Sequence, residues 1–337
     1  MDAFADTLIG WYEEHKRVLP WRGETDPYKI WVSEIILQQT RVQQGWDYYL
    51  RFIDNFPNVK ALADADEERV LKVWQGLGYY SRARNMHAAA REIMTVHHGQ
   101  FPKEYDKILS LKGIGAYTAA AIGSIAFHLP YPAVDGNVIR IISRIFGVCE
   151  DVSQPAVVKQ ITEICNEQID RDRPGVFNQA AMDFGAMHCT PKNPQCEECP
   201  FQSDCYALNN NLVDILPIKK KKAEQKHRYF HYTIYLSDNK TIIEKRSGND
   251  IWKNMYQFPL TETDSDDFAD TPVFSARETL SHQIIHAHFY VKSVKKLPKL
   301  SGNQSIIDFD NIEQYPMPKI MMLFLRDISS YHAYLLV

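Results

Sequence analysis

The stretch that decides the fold is Leu111-Lys112-Gly113-Ile114-Gly115-Ala116-Tyr117-Thr118 (LKGIGAYT). It lies between two helix-like segments, residues 103–110 and 116–127, and so predicts a short turn that joins two helices. Glycines in such a turn permit a positive φ and leave amides exposed at the start of the second helix, where a phosphate oxygen can bind. The predicted phosphate ligands are the amides of Gly113, Ile114 and Gly115.

Outward from this turn, residues 1–208 have the periodicity and stop signals of a chain of helices. Asp26-Pro27 begins one helix, Asn55-Phe56-Pro57 ends another, and residues 99–102 separate two more. The segment that follows, residues 209–226, is polar and contains the run Lys219 to Lys222. We interpret it as a solvated linker, with a nuclear localisation patch as the alternative.

Residues 227–337 have a different pattern. Segments 229–236, 241–244 and 287–294 are rich in aromatic and β-branched residues, as strands are. The sequence therefore predicts an all-α domain over residues 1–208 and a smaller α+β or mainly β domain over residues 227–337.

Composition narrows the class of protein but does not name its partner. The 337 residues are 45% hydrophobic and 24% charged with a formal net charge of -4, which is typical of a folded protein and argues against nonspecific coating of DNA. No run approaches the ~20 apolar residues of a membrane span. We expect a cytoplasmic protein with no membrane partner.

Four of the six cysteines form one compact loop, residues 189–205. The spacing is Cys189-x6-Cys196-x2-Cys199-x5-Cys205. These thiols are too close in sequence for a disulfide framework, and one tight pair flanked by single cysteines favours a 4Fe-4S cluster over a structural zinc ion. Cys149 and Cys165 lie outside the pattern, and we expect both to be buried as small hydrophobic side chains.

A pair of carboxylates supplies the candidate chemistry. Glu34 falls within the apolar stripe of a predicted helix, where burial raises the pKa of a carboxyl group. A hydrogen-bonded structural glutamate is the alternative. Asp135 precedes a predicted helix that begins near Val138; it fits an N-cap, and the helix N-terminus is expected to keep it ionised.

Several motifs together resemble one family. They are Leu19-Pro20-Trp21-Arg22, Ser33 to Thr40 (SEIILQQT), Gly76 to Arg84 (GLGYYSRAR), the turn at residues 111–117 with Val134 to Val138 (VDGNV), and the cysteine loop. This combination is similar to the MutY family of adenine DNA glycosylases, in the endonuclease III or helix-hairpin-helix superfamily. The resemblance implies a helix-hairpin-helix glycosylase domain with one 4Fe-4S cluster. It also implies base-excision repair of adenine mispaired with 8-oxoguanine or guanine in double-stranded DNA, by a monomer associated with the nucleoid.

The resemblance also implies roles for individual residues. Glu34 would be the general acid and Asp135 would stabilise the sugar cation, with Tyr117 and Asn137 positioning the reacting groups. The other implied DNA contacts are Trp21, Arg22 and Gln179 around adenine, Gln39, Thr40 and Tyr79 beside the opposing 8-oxoguanine, and Lys192 on a phosphate. For Lys192 a solvated turn is the alternative, and either Tyr79 or Tyr80 could belong to the core. Bifunctional relatives carry a lysine nucleophile at the position of Tyr117, so we expect a monofunctional enzyme.

Residues 227–337 resemble the Nudix-like C-terminal domain of the same family, in part through Ile251 to Pro259 (IWKNMYQFP). Only Arg277-Glu278 is similar to the acidic box of Nudix hydrolases, so pyrophosphate hydrolysis is not expected. The family's Phe-Ser-His loop, which contacts the lesion, has two possible registers. One register places Ile285 and His286 in the loop, and the other places Ser281 there within Leu280-Ser281-His282.

Three other functions remain open at this point. They are a bifunctional glycosylase for oxidised pyrimidines, a relative that acts on thymine mismatches, and a helix-hairpin-helix module that binds DNA without catalysis. Tyr117 argues against the first, and the C-terminal domain argues against the first two. Glu34 and Asp135 argue against the third, because binding alone requires neither.

Overall fold

The computed structural model describes residues 4–220, 224–266 and 270–329. Within these ranges the chain divides into two compact units. The first contains residues 4–63 and 88–220, and the second contains residues 64–87 together with the described residues from 224 onward. The limits 1–208, 209–226 and 227–337 stay predictions, and residues 64–87 group with the second unit.

All of the regular secondary structure in the described residues of the first unit is helical. The helices are α1 Phe4–His15, α2 Pro27–Leu37, α3 Val42–Asn55, α4 Val59–Asp64, α5 Glu67–Trp74, α6 Ser81–Val96, α7 Tyr105–Ser110, α8 Ala116–Phe127, α9 Gly136–Phe146, α10 Pro155–Gln168, α11 Pro174–Met187 and α12 Tyr206–Asn209. Of these, α5 belongs to the second unit, and α6 begins in the second unit and ends in the first. The predicted run of helices is confirmed.

Local signals set the helices that carry the site. Asp26 caps α2, with its Oδ1 accepting from the Tyr28 amide at 2.9 Å, and Pro27 occupies the first helical position. Between α9 and α11 the backbones approach closely, since a Cβ added at Gly185 would lie 2.7 Å from Cβ of Asn137. Glycine at 185 thus allows α11 to lie against the start of α9.

The predicted turn between two helices lies between α7 and α8. Gly113 has a φ of +83°, a conformation that favours glycine. The Ile114 amide donates to the Leu111 carbonyl at 3.1 Å, and the Ile114 side chain is buried. Ile114 therefore anchors the hairpin through both its backbone and its side chain.

The second unit contains two sheets. Their strands are β1 Lys226–Leu236, β2 Lys240–Lys245, β3 Tyr256–Gln257, β4 Leu260–Thr263, β5 Phe274–Thr279, β6 Gln283–Ser293 and β7 Gln304–Asp308, followed by a 3-10 helix Phe309–Gln314 and by α13 Lys319–Ser329. The larger sheet has the order β4-β1-β6-β5 with β1 parallel to β6, and the smaller has the order β3-β2-β7. The three strands predicted at residues 229–236, 241–244 and 287–294 correspond to β1, β2 and β6, so the prediction of strands in this part of the chain is confirmed.

One face of the larger sheet forms the core of the second unit. Phe230 and Tyr232 of β1 and Phe289 of β6 are fully buried, and the Phe289 ring stacks on Phe324 of α13 with centroids 4.5 Å apart. Side chains alternate along a strand, so the neighbouring residues point to the opposite face. No helix among the described residues is both long and apolar enough to span a membrane.

Candidate active site and metal centre

A cavity of about 550 Å³ lies within the first unit. Its lining comes from the segment between α1 and α2, from α2 and the turn after it, and from α8, α9 and α11. Both predicted carboxylates, Glu34 and Asp135, line this cavity, and so do Tyr117 and Asn137. The fold thus gathers the four predicted catalytic residues around one space.

Glu34 is a buried carboxyl group on α2, with 8% of the residue exposed. Burial raises its pKa, and the Asp135 charge acts in the same direction, while a hydrogen bond from Tyr117 and the charge of Arg22 lower it. The Tyr117 hydroxyl donates to Glu34 Oε2 at 2.7 Å. The net direction is upward, so this carboxyl group holds its proton at a higher pH than an exposed glutamate does.

Tyr117 fixes the orientation of that carboxyl group. Burial and the nearby carboxylates of Glu34 and Asp135 raise the pKa of Tyr117 well above 10. The neutral hydroxyl also contacts Met182 Sδ at 3.1 Å. Tyr117 therefore acts as a hydrogen-bond donor to Glu34 and offers no amine.

Asp135 is the N-cap of α9. Its Oδ1 accepts from the amides of Asn137 and Val138 at 2.9 and 2.8 Å, and its Oδ2 accepts from Asn137 Nδ2 at 2.8 Å. These bonds lower the pKa of Asp135, but burial outweighs them, and the net direction is upward. The N-cap prediction is confirmed. The expectation that the helix N-terminus keeps Asp135 ionised stays a prediction, because its hydrogen bonds lower the pKa of Asp135 while desolvation, the larger effect, raises it.

The walls of the cavity contain the predicted adenine contacts Trp21, Arg22 and Gln179. The Trp21 ring packs edge-on against Tyr49 with centroids 5.4 Å apart. Gln179 Oε1 accepts from the Tyr12 hydroxyl at 2.9 Å, which orients the amide. An aromatic face and fixed polar groups suit a flat heterocyclic base.

Gln39 and Thr40 line the same cavity from the turn after α2. Gln39 has a φ of +56° and is exposed. The Thr40 amide donates to the Leu37 carbonyl at 3.2 Å and its hydroxyl to the Gln38 carbonyl at 3.4 Å, which closes the turn. The strained backbone at Gln39 thus holds polar side chains beside the cavity, just after the C-terminal end of α2.

The four cysteines of the loop line a second cavity, together with the apolar side chains Ile145 and Phe184. None of the four forms a disulfide bond, and Arg144 Nη1 lies 3.5 Å from Cys189 Sγ. Burial raises the pKa of Cys199 to about 11, so a thiolate there requires a cation beside it. In the described part of the chain no three His, Cys, Asp or Glu side chains are grouped to hold a single metal ion. Four cysteines around one cavity, among apolar side chains, fit the thiolate ligands of an iron-sulfur cluster.

Comparison with known proteins gives the family. Residues 32–167 match the HhH-GPD superfamily of base excision DNA repair proteins, and residues 189–205 match the iron-sulfur binding domain of endonuclease III. An adenine DNA glycosylase of Buchnera aphidicola subsp. Baizongia pistaciae is 37% identical over 258 residues, which are 76% of this chain and 73% of that protein. The chain belongs to the adenine DNA glycosylase family. The human adenine DNA glycosylase is 41% identical over 214 residues, 61% of this glycosylase and 39% of the human protein.

Solved structures give the same fold. A thermostable thymine-DNA glycosylase matches with a TM-score of 0.58 and 27% identity, over 62% of this chain and 96% of that one. Endonuclease III trapped as a covalent intermediate with DNA matches with a TM-score of 0.53 and 20% identity, over 62% and 95%. The predicted superfamily is confirmed: the glycosylase has the helix-hairpin-helix fold and carries one 4Fe-4S cluster, for which Cys189, Cys196, Cys199 and Cys205 are the candidate ligands.

The remaining cysteines of the glycosylase differ from each other. Cys165 on α10 is buried, as predicted, with 1% exposed. Cys149 is exposed, so the prediction of a buried side chain is wrong there. Gly147 ends α9, and Cys149 follows in the loop that leaves the helix.

The helix-hairpin-helix turn leaves room for a phosphate at the start of α8. Gly115 has a φ of -97°, and a Cβ there would meet nothing within 4 Å, so the fold itself does not demand glycine. A missing side chain keeps the amides of the first turn of α8 open to a ligand. Lys192 is exposed in the cysteine loop, and Thr190 Oγ1 donates to its carbonyl at 2.9 Å.

In the second unit, Tyr79 and Ser281 lie in contact. The Tyr79 side chain is 42% exposed and its hydroxyl lies 3.1 Å from Ser281 Oγ, whereas Tyr80 is buried in the core. Ile285 is fully buried in β6. His286 stacks on Tyr229 of β1 with centroids 4.7 Å apart. Of the two registers, only the one with Ser281 puts an accessible hydroxyl in the turn between β5 and β6.

Two functional side chains were missed from the sequence. Asp183 on α11 is fully buried and accepts from Arg17 Nη2 at 2.5 Å and Arg22 Nη2 at 2.6 Å, so it holds Arg22 against the cavity. Arg140 on α9 donates to Asn137 Oδ1 at 2.9 Å and to the Cys189 carbonyl at 2.8 Å. Arg140 therefore joins the active site to the cysteine loop.

Both missed residues had a detectable signal. Asp183 is the single acid in the apolar helix PGVFNQAAMDFGAM, which is the pattern that pointed to Glu34. Arg140 is one of two arginines four residues apart in the apolar helix GNVIRIISRIF. A charged side chain within a buried helix requires a partner.

Proposed function

We propose that this glycosylase removes adenine mispaired with 8-oxoguanine or guanine in double-stranded DNA, after flipping the adenine out of the helix. Glu34 is the general acid, and Asp135 stabilises the oxocarbenium-like sugar. The observation that carries this proposal is the geometry around Glu34, a buried carboxyl group with a raised pKa that accepts a 2.7 Å hydrogen bond from Tyr117 and shares one cavity with Asp135.

The chemistry follows from these groups. Glu34 transfers its proton to a ring nitrogen of the flipped adenine, so the base leaves as neutral adenine when the bond from its nitrogen to C1′ breaks with both electrons. Positive charge develops on the sugar, and the Asp135 carboxylate lies at the same cavity to stabilise it. Water then adds to C1′ and its proton returns to Glu34.

Binding of the flipped base would use the cavity walls. Trp21 offers an aromatic face, Gln179 an oriented amide, and Arg22 a guanidinium held by Asp183. Flipping costs a few kcal/mol of stacking and pairing, which these contacts offset.

Recognition of the opposing base is proposed for Gln39 and Thr40 in the first unit and for Tyr79 and Ser281 in the second. Exposure of Tyr79 and the Ser281 hydroxyl beside it support this role. His286, the fourth residue of β6, stacks on Tyr229 of the neighbouring strand β1. Phosphate contacts are proposed for Gly113, Gly115 and Lys192, but not for Ile114, whose amide donates to the Leu111 carbonyl. The Nudix-like character of the second unit stays a prediction.

We propose that the enzyme is monofunctional. Tyr117 stands at the position where a lysine nucleophile would attack C1′, and a neutral phenol forms no imine. Because a thymine-DNA glycosylase has a similar fold, a thymine mismatch is the alternative substrate to test.

A panel of duplexes that differ in one base pair tests the proposal. Adenine opposite 8-oxoguanine, adenine opposite guanine, thymine opposite guanine and an oxidised pyrimidine opposite guanine are each assayed with and without alkali. We expect excision of adenine only, with strand breaks that require alkali. Excision of thymine or of an oxidised pyrimidine in preference to adenine contradicts the substrate assignment.

A further inference from the structure

Two acidic residues at the start of α5 bind the sheet-containing part of the second unit. Glu68 Oε1 accepts from Lys245 Nζ at 2.6 Å and from the Tyr256 hydroxyl at 2.9 Å. Glu67 Oε1 accepts from Asn254 Nδ2 at 2.6 Å. Lys245 lies on β2 and Tyr256 on β3, so one carboxylate bridges two paired strands.

Further contacts continue along the segment of residues 64–87. Arg84 Nη1 donates to the Lys253 carbonyl at 3.0 Å. Gln75 Oε1 accepts from the Met317 amide at 3.5 Å, and the Tyr80 hydroxyl donates to the Met317 carbonyl at the same distance. Residues 64–87 thus contact the sheet-containing part of the second unit near both ends of the segment and in its middle.

Tyr79 projects from the centre of this attached segment. Its φ of +47° is uncommon for a tyrosine and must be held by the surrounding structure. The Arg82 guanidinium lies 5.5 Å from the Tyr79 ring and 5.2 Å from the Trp74 ring, which ties the tyrosine to α5. The position of α5 therefore sets the position of the exposed Tyr79 ring relative to Ser281.

We propose that Glu68 is a positioning residue for recognition of the opposing base. By bridging Lys245 and Tyr256, it fixes α5 on the sheets and so fixes Tyr79 against the Ser281 turn, and these two side chains then contact the base opposite adenine as one rigid pair. This inference rests on the proposed function. It adds that specificity for 8-oxoguanine depends on a carboxylate that touches no DNA.

The charge state of Glu68 suits this role. The hydrogen bond from Lys245 lowers the pKa of Glu68, and burial, the only opposing effect, is smaller. The pair is partly exposed, with 38% of the Lys245 side chain and 45% of the Glu68 side chain accessible, so its contribution to overall stability is small. A small contribution to stability permits variants that fold normally and differ in specificity.

Glu68→Ala in the full chain tests the proposal, with Lys245→Ala as a second variant that removes the same pair from the sheet side. Glu163→Ala is the matched control, because Glu163 forms an exposed pair with Lys159 on α10 at 3.7 Å. Single-turnover excision is measured for adenine opposite 8-oxoguanine and opposite guanine. A duplex with fluorescent 2-aminopurine beside the opposing base reports stacking by Tyr79, independently of excision.

We expect Glu68→Ala and Lys245→Ala to lower the preference for 8-oxoguanine over guanine roughly two- to tenfold. The 2-aminopurine signal should change, and Glu163→Ala should match the wild type in both measurements. In a Tyr79→Ala background, Glu68→Ala should have no further effect on the preference.

Three results would overturn the inference: an unchanged preference with an unchanged 2-aminopurine signal in both pair variants, equal loss of excision on both duplexes, or a full effect of Glu68→Ala without Tyr79. Failure of the proposed function is distinguishable from all three. It would appear as a wild-type protein that excises adenine from neither duplex, while the 2-aminopurine signal still reports the placement of Tyr79.

Discussion

Replacement of Glu34 by glutamine removes the transferable proton and retains the shape of the side chain. The amide oxygen can still accept the 2.7 Å hydrogen bond from Tyr117, so the cavity should keep its geometry. Loss of a positioned general acid costs about 10² to 10⁴ in rate, which corresponds to roughly 3 to 5 kcal/mol of barrier. Asp135 remains to stabilise the sugar, so a residual rate is expected.

The same substitution should make the protein more stable at high pH. Burial raises the pKa of Glu34 in the folded state above its unfolded value, so the folded state loses stability as pH rises through the folded pKa. Glutamine removes this ionisation. The melting temperature of Glu34→Gln should therefore exceed that of the wild type, and the difference should grow as the pH rises from the unfolded pKa of Glu34 through its folded pKa.

Single-turnover excision at several pH values, binding of a duplex with a non-cleavable adenine analogue, and thermal melting check both effects. Glu163→Gln on α10 is the control for an exposed Glu-to-Gln exchange. Near-wild-type excision by Glu34→Gln would refute the role of Glu34 as the acid, and weak duplex binding would show that glutamine had damaged the cavity.

Four further outcomes are expected. Tyr117→Phe removes a hydrogen bond that lowers the pKa of Glu34, so the alkaline limb of the pH–rate profile should move to higher pH; an unmoved limb would separate Tyr117 from the acid. Wild-type protein should give little borohydride-trapped adduct and Tyr117→Lys should give more, so efficient trapping of the wild type would contradict monofunctional chemistry. Purified protein should be brown, with broad absorption near roughly 400 nm and about four irons per chain; a colourless protein with one zinc would contradict the cluster. Ser281→Ala should reduce the preference for 8-oxoguanine over guanine by about one power of ten or less, through loss of one hydrogen bond, whereas an unchanged ratio would remove Ser281 from recognition.

Much of the fold follows from local signals in the sequence. Asp26-Pro27 begins a helix as expected, and the segments rich in aromatic and β-branched residues form strands. Glu34 was identifiable because a carboxyl group within an apolar helical stripe has few ways to remain in water. Side chains alternate along a strand, so Ile285 lies on the same face of β6 as Ala287, and both are buried. That alternation would have excluded Ile285 as a DNA contact.

Other features depend on contacts between distant parts of the chain. The sequence around Glu68 gives no local sign that Glu68 pairs with Lys245, which is 177 positions away. The sequence shows that Asp135 caps a helix, but the extent of its desolvation depends on how α9 and α11 pack. Exposure of Cys149 likewise depends on the path of the chain after Gly147.

The placement of residues 64–87 in the second unit also constrains how the protein matures. A ribosome adds about 5 to 20 residues per second, so this segment emerges on the order of tens of seconds before the strands that receive it. Glu68 of this segment has to wait through that interval for Lys245 and Tyr256, its partners in the finished protein. The segment that separates the two stretches of the first unit therefore acquires its strand contacts only after the last residue of the first unit is made, and a truncated message leaves α5 without them.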